Sequence, residues 1–353
     1  MSGTTLTVYA SVPSQATDVL DAEKLALSQA GSTVGKFRVV LKPLTADSIK
    51  QVADNARAAD ENKTTIAYLG EVVPGLSEQS VPITNELGIL EVSPTDNALE
   101  LTSASPVVPN SQNVFYPSKG TYGYTFGRVV PSDRIEAEDL VGEMRSLGVT
   151  KLYVANDGSD YGLALAHAVQ ADAGASLTAT PGPPSAANVT SSGADGVFYG
   201  GSSPSAAATF FDAVAAASPK LKLFGPSALD GAAFAGDLAA SAQPNVYVSA
   251  PGFLPADLPA AGLAFEKTFA STYGHSPAPQ AIFGFAAMKA VLDALHDAGT
   301  AANDRTTVAN DFFTLNVQQS AIGPFKMREN GDNNLTAIVF SRVRGGKLVP
   351  FKS

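Results

Sequence analysis

The clearest structural signal in the chain lies in residues 64–97, which read TTIAYLGEVVPGLSEQSVPITNELGILEVSPTDN. Residues 65–69 form a short apolar run, which is typical of a buried parallel strand. A turn rich in glycine and proline follows, and the apolar spacing after it predicts a helix with Ser77 as its N-cap. Residues 88–92 predict a second strand, which ends in the polar turn 93–97. Strand, turn, helix and strand make one right-handed βαβ unit.

The two polar turns of this unit should lie at the same edge of the sheet. In open α/β sheets, ligands bind outside the carboxyl ends of the strands, where helices begin and present free N–H groups. Both turns are rich in Ser, Thr, Gly and Asn, which suits a small polar or anionic solute. They contain no nucleophile–base pair, so they indicate binding rather than catalysis.

The same alternation of strand and helix runs through most of the chain, in two sets. The first set precedes residue 98, and the pattern restarts near residue 151. The strands are predicted at residues 6–10, 37–41, 65–69, 88–92, 151–155, 196–200 and 222–225. Such alternation predicts parallel sheets covered by helices on both faces, here in two similar lobes. Two segments depart from it: residues 98–124 read as a long loop, and residues 323–327 and 335–342 predict a hairpin.

Composition excludes several classes of function. A chain of 353 residues with 45% hydrophobic and 16% charged residues is ordered and long enough for two cores. Its net charge of −10 argues against binding to nucleic acid or to an anionic membrane surface, and no apolar run reaches 18 residues. The absence of cysteine excludes disulfides, thiolate zinc sites and thiol catalysis.

No motif in the chain indicates a metal, a cofactor or a catalytic group. The three histidines lack HxH or HExxH spacing, and GxGxxG, Walker and GxSxG sequences are absent. We therefore predict no metal, no cofactor and no catalytic residue. The first four residues lead directly into a strand, so for an exported protein the leader and any lipid-bearing cysteine would not be part of this sequence.

Several short motifs occur in an order that is specific to one family. They are GIL running into VSPT at residues 88–95, NDGSDYG at 156–162, YGG at 199–201, GP at 225–226 and IGPF at 322–325. From about residue 6 to 340, this order resembles the type I periplasmic solute-binding proteins. The likeness is specifically to the branched-chain amino-acid (leucine/isoleucine/valine) binding family of ABC importers.

The resemblance implies two Rossmann-like lobes that close on a ligand by hinge motion. Three crossings would join them, near residues 128–131, 249–253 and 322–324. The first lobe would comprise residues 1–129 and 250–322, and the second residues 130–249 and 323–353.

The resemblance also implies a set of ligand-binding positions. In relatives, two turns of the first lobe hold the ligand carboxylate, while a tyrosine and the residue after a Gly-Gly pair act from the second lobe. The candidate residues in this sequence are Gln15, Glu71, Pro74, Gly75, Ser77, Thr95, Asp96, Asn97, Tyr122, Asp157, Tyr161, Ser202, Ser203, Ser227 and Asp230. Ser77 and Asp157 have an alternative role as helix caps, and Tyr122 as packing within its loop.

Departures from the family pattern bear on the ligand. Pro74 stands where many amino-acid binders carry serine, Ser202 and Ser203 where tyrosine is frequent, and Ser227 where a glutamate holds the α-ammonium group. A buried ammonium without a charged partner is costly. Either Asp230, Asp96 or Glu71 replaces that glutamate, or the ligand has no ammonium group.

These observations predict a non-enzymatic, extracytoplasmic solute-binding protein that feeds an ABC permease. The ligand would be a neutral amino acid or an organic acid, with its anionic end held by the first lobe, and the protein would be a monomer without nucleic-acid partners. One alternative is a sensory ectodomain of a signalling receptor. The other, an α/β enzyme, would need a nucleophile, a base and an orienting group in one crevice.

Overall fold

The computed structural model describes residues 3–352, which form two α/β lobes. The strands are β1 (Thr5–Val12), β2 (Thr33–Val34), β3 (Phe37–Thr45), β4 (Thr65–Leu69), β5 (Leu90–Ser93), β6 (Phe126–Arg128), β7 (Lys151–Asn156), β8 (Thr178–Pro181), β9 (Gly196–Gly200), β10 (Lys222–Gly225), β11 (Val246–Pro251), β12 (Asn316–Val317), β13 (Phe325–Lys326), β14 (Ile338–Arg344) and β15 (Lys347–Phe351). The helices are α1 (Thr17–Gln29), α2 (Ile49–Glu61), α3 (Ser77–Glu86), α4 (Ser111–Phe115), α5 (Lys119–Tyr122), α6 (Asp133–Ser146), α7 (Asp160–Ala173), α8 (Ala186–Ser192), α9 (Pro204–Ala217), α10 (Ala232–Asp237), α11 (Ala260–Tyr273), α12 (Ala281–Ala298) and α13 (Arg305–Phe313). None of the helices in this described range is long and apolar enough to cross a bilayer.

Each lobe is built on its own sheet. The first sheet has the order β2-β3-β1-β4-β5-β6, and its strands are parallel except for the short edge strand β2. The second has the order β15-β14-β11-β10-β9-β7-β8, with β14 and β15 antiparallel to the rest. In both sheets the chain winds from the centre outward, so the turns after the parallel strands of each sheet share one edge. The predicted two-lobed α/β fold is confirmed.

The βαβ unit predicted from residues 64–97 is present as β4, α3 and β5. Strands β4 and β5 pair in parallel, with Ala67 opposite Leu90. Every residue of both strands is buried, as expected for a sheet that helices cover on both faces. Pro82 lies inside α3 but does not end the helix, which continues to Glu86.

Helix α12 lies at the centre of the first lobe's core. Twelve of its 18 residues are buried, so it is apolar on nearly all sides. It packs on α1, where Gly284 faces the backbone of Val19. A stretch of chain far from the first βα units therefore packs into the core of the first lobe.

The chain crosses between the lobes three times. It leaves the first core after Val130, and it returns after β11 by the segment 252–259. The third crossing differs from the prediction, because Phe325, Met327 and Leu335 still pack against the first core, and the chain enters the second sheet only at β14. The predicted third crossing at residues 322–324 was therefore placed too early, and residues 323–335 pack on the first lobe rather than the second.

The predicted hairpin was also misplaced. Strand β13 pairs with β12, and the hairpin is formed by β14 and β15 around Gly345 and Gly346. Met327, at the end of the first expected strand, instead forms an isolated antiparallel bridge with Asn333 in the connection that follows it. The segment 98–124 is mostly irregular, as expected, but it contains α4 and α5.

Two helical glycines give a matched test of the packing of α12 on α1. A Cβ atom at Gly284 would lie 2.6 Å from the carbonyl oxygen of Val19, whereas a Cβ at Gly142 in α6 meets nothing within 4 Å. We expect Gly142→Ala to raise the free energy of unfolding by about 0.5–1 kcal/mol, the usual gain of alanine over glycine in a helix. Gly284→Ala should lower it by about 1–3 kcal/mol, because the backbone contact must open.

Urea unfolding of the two variants and the parent chain measures both effects. Equal stabilisation by the two alanines would contradict close contact between α12 and α1.

Candidate functional site

Ser93 joins the two polar turns at the carboxyl edge of the first sheet. Its hydroxyl donates to the carbonyl oxygen of Glu71 at 2.6 Å and accepts from the amides of Thr95 and Asp96 at 3.1 and 2.7 Å. The turn after β4 and the turn after β5 are thus held against each other, and both are largely buried. Thr95 strengthens this contact by donating its hydroxyl to the carbonyl of Val72.

Asp96 occupies the N-terminus of α3. Its carboxylate accepts hydrogen bonds from the backbone amides of Gly75 and Ser77, both at 2.8 Å, and from Ala98 at 3.1 Å. The carboxylate therefore satisfies N–H groups that a helix start leaves free. Ser77 is the first residue of the helix rather than its cap, and its hydroxyl accepts from the amide of Glu71 at 3.0 Å.

This arrangement corrects one expectation. The donors of the first lobe that were predicted to hold the anionic end of a ligand are already bonded to groups of the protein itself. The amides at the start of α3 bind Asp96, and the hydroxyl of Thr95 binds a carbonyl.

Glu71 lies behind these turns as a buried carboxyl. It accepts from the hydroxyls of Tyr68 at 2.7 Å and Ser11 at 2.9 Å. Burial raises the pKa of Glu71 to about 8 against these hydrogen bonds, so the group holds a proton at neutral pH.

The polar turn after β7 forms the corresponding edge of the second lobe. Asp157 is exposed, and its carboxylate accepts from the amide of Ser159 at 3.0 Å and from that of Ser202 at 3.2 Å. It thereby ties the NDGSDYG turn to the Gly-Gly turn. Ser159, not Asp157, caps α7, and Ser203 caps α9.

Tyr161 brings the second lobe against the first. It is 1% exposed, and its ring packs on Gly75, where an added Cβ would lie 3.0 Å from the Cβ of Tyr161. Gly75 also has φ +84°, so a side chain there would meet both backbone strain and the ring. The phenol oxygen of Tyr161 is buried and has no hydrogen-bond partner within residues 3–352.

A cluster of hydrogen bonds crosses between the lobes at Asn97. Its side-chain amide donates to Glu136 at 2.5 Å and to the hydroxyl of Ser227 at 3.0 Å. Its backbone carbonyl accepts from the backbone amide of Asp133 at 2.8 Å. Glu136 also accepts from the amide of Ser227 at 2.7 Å and from the hydroxyl of Ser249 at 2.5 Å. A single buried carboxylate therefore links the turn after β5 to the turn after β10 and to β11. The lobes are in contact here, as in a closed form.

The residues that sequence reasoning missed are Asp133 and Glu136. Both lie on the buried stripe of α6, in line with Ala137, Leu140 and Met144. Carboxylates at helical spacing with core residues are a detectable signal, because an acidic residue on an apolar stripe must have a special partner. At Ser227, where relatives carry a glutamate, the hydrogen-bonding carboxylate is that of Glu136 and not of Asp230, Asp96 or Glu71.

The remaining predicted residues divide between this interface and other places. Asp230 bonds across the lobes to the amide of Gln280, and burial raises its pKa to about 6. Pro74 is buried in the first turn, whereas Gln15 is exposed. Tyr122 packs on Gly88, which precedes β5, so it lies at the opposite edge of the sheet from the turns. Its alternative role, packing of the loop, is the one that the structure supports.

Arg128, on the neighbouring strand β6, holds the backbone of the turn after β5. It is fully buried at the end of β6 and donates to the carbonyl oxygens of Asp96 at 3.2 Å and Ala98 at 2.8 Å. It also forms an ion pair with Asp332, with 3.2 Å between nitrogen and oxygen. The guanidinium therefore fixes the backbone of the residue that caps α3.

With this geometry in view, comparison with known proteins identifies the family. The model of the family described as "Periplasmic binding protein" matches residues 9–347. The chain belongs to the periplasmic binding protein family. The resemblance to the periplasmic solute-binding proteins is confirmed. No sequence among the curated proteins matches this periplasmic binding protein.

Solved structures of similar proteins agree with the fold. A leucine binding protein, LivK, from Thermotoga maritima MSB8 is 18% identical with a TM-score of 0.80, each chain being covered to 98%. An ABC transporter substrate-binding protein from Desulfitobacterium hafniense in complex with Leu is 18% identical with a TM-score of 0.77, with coverage of 98% of this chain and 100% of the other. A solute binding protein of an ABC transporter from R. palustris in complex with benzoate is 17% identical with a TM-score of 0.70, with coverage of 98% and 95%. At these identities the likeness establishes the fold of this periplasmic binding protein.

The contact at Glu136 predicts how closure depends on one carboxylate. Glu136→Gln replaces one acceptor oxygen by an amide that faces N–H and O–H donors, which should cost about 1–3 kcal/mol of the contact between the lobes. We expect small-angle X-ray scattering to give a larger radius of gyration for this variant than for the parent chain. The control is Glu138→Gln, on the exposed side of the same helix. A scattering curve identical to that of the parent would contradict the role of Glu136.

The buried carboxyl of Glu71 predicts a dependence of stability on pH. Its folded-state pKa of about 8 lies above the usual value of 4.5, so the native state keeps a proton that the unfolded chain loses between these values. Stability should therefore fall as pH rises from 4.5 to 8, with a contribution from Glu71 of about 1 kcal/mol per pH unit. Glu71→Gln, which stays neutral, should have a flatter profile in urea unfolding across this range. A slope equal to that of the parent chain would show that Glu71 is ionised in the fold.

Proposed function

We propose that this protein is an extracytoplasmic solute-binding protein of an ABC importer. It captures a small polar organic solute between its lobes and presents the closed form to a cognate permease. It works as a monomer and releases the solute chemically unchanged. The family supplies the general role, and the geometry of the interface supports the capture mechanism.

One observation carries this proposal: polar groups from both lobes converge where the carboxyl edges of the two parallel sheets meet. Asn97 of the first lobe bonds directly to Ser227 and Glu136 of the second, and Tyr161 packs on Gly75. These contacts join segments up to 130 residues apart in the chain. These contacts between the lobes form only when the lobes close. Their free energy therefore stabilises the closed form, in which a solute is enclosed.

The polar groups at the interface support binding and not catalysis. Ser227 and Ser249 both donate to Glu136, which is itself saturated by four donors. A hydroxyl nucleophile needs a base that is in turn oriented by a third group, and Glu136 has no such free position. The serines therefore serve as hydrogen-bond donors that shape the crevice.

The chemical range of the solute is narrow enough to screen. The similar structures hold Leu, Ile and benzoate, so the fold accommodates amino acids and an aromatic acid. We propose amino acids, small organic acids and their amides and amines as the range for this chain. The test is a thermal-shift screen over these solutes, followed by calorimetric titration and scattering of each hit. A solute that raises Tm, binds at one site and is recovered from the titration with its molecular mass unchanged supports the proposal. Chemical conversion of the solute would overturn it.

The unpartnered phenol of Tyr161 predicts a contact with the solute. Tyr161→Phe removes a hydroxyl that makes no hydrogen bond to residues 3–352, so Tm without solute should stay the same or rise slightly. Affinity for the solute found in the screen should fall about 2- to 10-fold, which corresponds to one neutral hydrogen bond.

The control is Tyr153→Phe, whose hydroxyl bonds within the second lobe to the carbonyl of Pro183 at 2.9 Å. This change should lower Tm and leave affinity unchanged. The opposite pattern, with Tyr161→Phe lowering Tm at constant affinity, would assign the Tyr161 hydroxyl a structural role.

A further inference from the structure

Asp96 places a carboxylate of the protein where a helix start would otherwise bind an anion. Helix α3 has ten residues, and Gly75, which lies just before it, packs on Tyr161 of the second lobe. The two oxygens of Asp96 take the amides of Gly75, Ser77 and Ala98 at 2.8–3.1 Å. An incoming carboxylate would have to displace this group to reach the same donors.

Displacement of Asp96 is opposed from several directions. The side chain is completely buried, its own amide donates to Ser93 at 2.7 Å, and its carbonyl accepts from Arg128. Of the two neighbouring hydroxyls, that of Thr95 donates to the carbonyl of Val72, and that of Ser77 accepts from the amide of Glu71. The amides of Gly75, Ser77 and Ala98 and the hydroxyl of Thr95 are therefore used within the protein.

Two buried polar side chains near the start of α7 and α6 stay open on the second lobe. Asp133 is fully buried, and neither of its carboxylate oxygens has a hydrogen-bond partner in the described part of the chain. The phenol oxygen of Tyr161 is open in the same way. Both groups lie against the polar turns of the first lobe, since the amide of Asp133 donates to the backbone carbonyl of Asn97 at 2.8 Å and Tyr161 packs on Gly75. Both groups can accept hydrogen bonds from N–H groups of a solute.

We propose that Asp96 is a specificity-determining residue that excludes carboxylate-bearing solutes, so that the cleft selects solutes with amide or amine N–H donors and no free carboxylate. The inference rests on the proposed function, because it concerns the solute captured between the lobes. In this inference, one side chain, that of Asp96, decides which chemical class of solute can bind.

The test compares each acid with its own amide, so that the carboxylate is the only variable. The probes are L-leucine with L-leucinamide and benzoate with benzamide, titrated calorimetrically at pH 7 into the full chain and into Asp96→Ala. In the parent chain we expect the amide of at least one pair to bind at least 10-fold more tightly than the acid. In Asp96→Ala the amides at the start of α3 lose their acceptor, so the acid of that pair should gain at least 10-fold in affinity.

Two further variants keep the result interpretable. Asp195→Ala removes a carboxylate that accepts the amides of Thr150 at 3.0 Å and Lys151 at 2.9 Å in the second lobe. It should leave the ratio of acid to amide affinity unchanged. If Asp96→Ala does not fold, Asp96→Asn replaces it, because the asparagine keeps one acceptor oxygen and loses the charge. The acid should then gain at least 3-fold.

The outcomes separate this inference from the proposed function. A parent chain that binds leucine or benzoate as tightly as the amide overturns the role of Asp96 while it supports solute capture. If no probe or screened solute binds the parent chain but Asp96→Ala binds an acid, the exclusion by Asp96 is supported and the proposed import function fails. An unchanged ratio of acid to amide in both Asp96 variants overturns the inference.

Discussion

The buried guanidinium of Arg128 is the interaction on which the meeting point of the lobes depends. A cation without solvent is tolerated only when its donors and its charge are matched by the protein. Here the match comes from two carbonyl oxygens of the turn after β5, from the hydroxyl of Thr102 at 2.9 Å, and from Asp332. The same turn carries Asp96 and Asn97, so the cation positions both the cap of α3 and the contact with the second lobe. Its charge also opposes the rise in the pKa of Asp96 that burial causes.

Around this one cation lies an unusually large number of buried acids. Burial raises the pKa of Glu71 to about 8 and that of Glu78 to about 10, with Glu100 beside Glu78 adding to the effect. The pKa of Asp133 is raised as well, chiefly by burial and next by Glu136. Glu71 and Glu78 therefore hold protons at neutral pH and act as hydrogen-bonding groups without charge.

Much of the fold could be predicted from the sequence because it is encoded locally. The apolar run 65–69, the breakers after it and the second run 88–92 identify β4, α3 and β5 with errors of a few residues. The third crossing could not be placed in this way. Strands β12 and β13 have two residues each, which is too short for a periodic pattern. The packing of Phe325 on the first core could therefore not be predicted from the sequence.

The candidate site could be predicted in position but not in detail. The turns at the carboxyl edges were identified because strand order and polar composition point to them, and Asn97, Tyr161 and Ser227 do meet there. What each side chain bonds to depends on partners 19 to 130 residues away, such as Ser77 for Asp96 and Ser227 for Asn97. Tyr122 was misassigned for the same reason, since only the tertiary structure shows that its ring covers Gly88.

The side chain of Asn333 has a consequence for how the lobes can move. Its amide donates to the carbonyl oxygens of Arg128 at 2.9 Å and Val130 at 2.8 Å, so the first and third connections are fastened side by side. Two of the three connections must then turn together, as a single pivot. The remaining one contains Pro255 and Pro259, whose rings hold φ near −65° and limit how far it can bend. We therefore expect the lobes to swing about one axis rather than to slide or twist against each other.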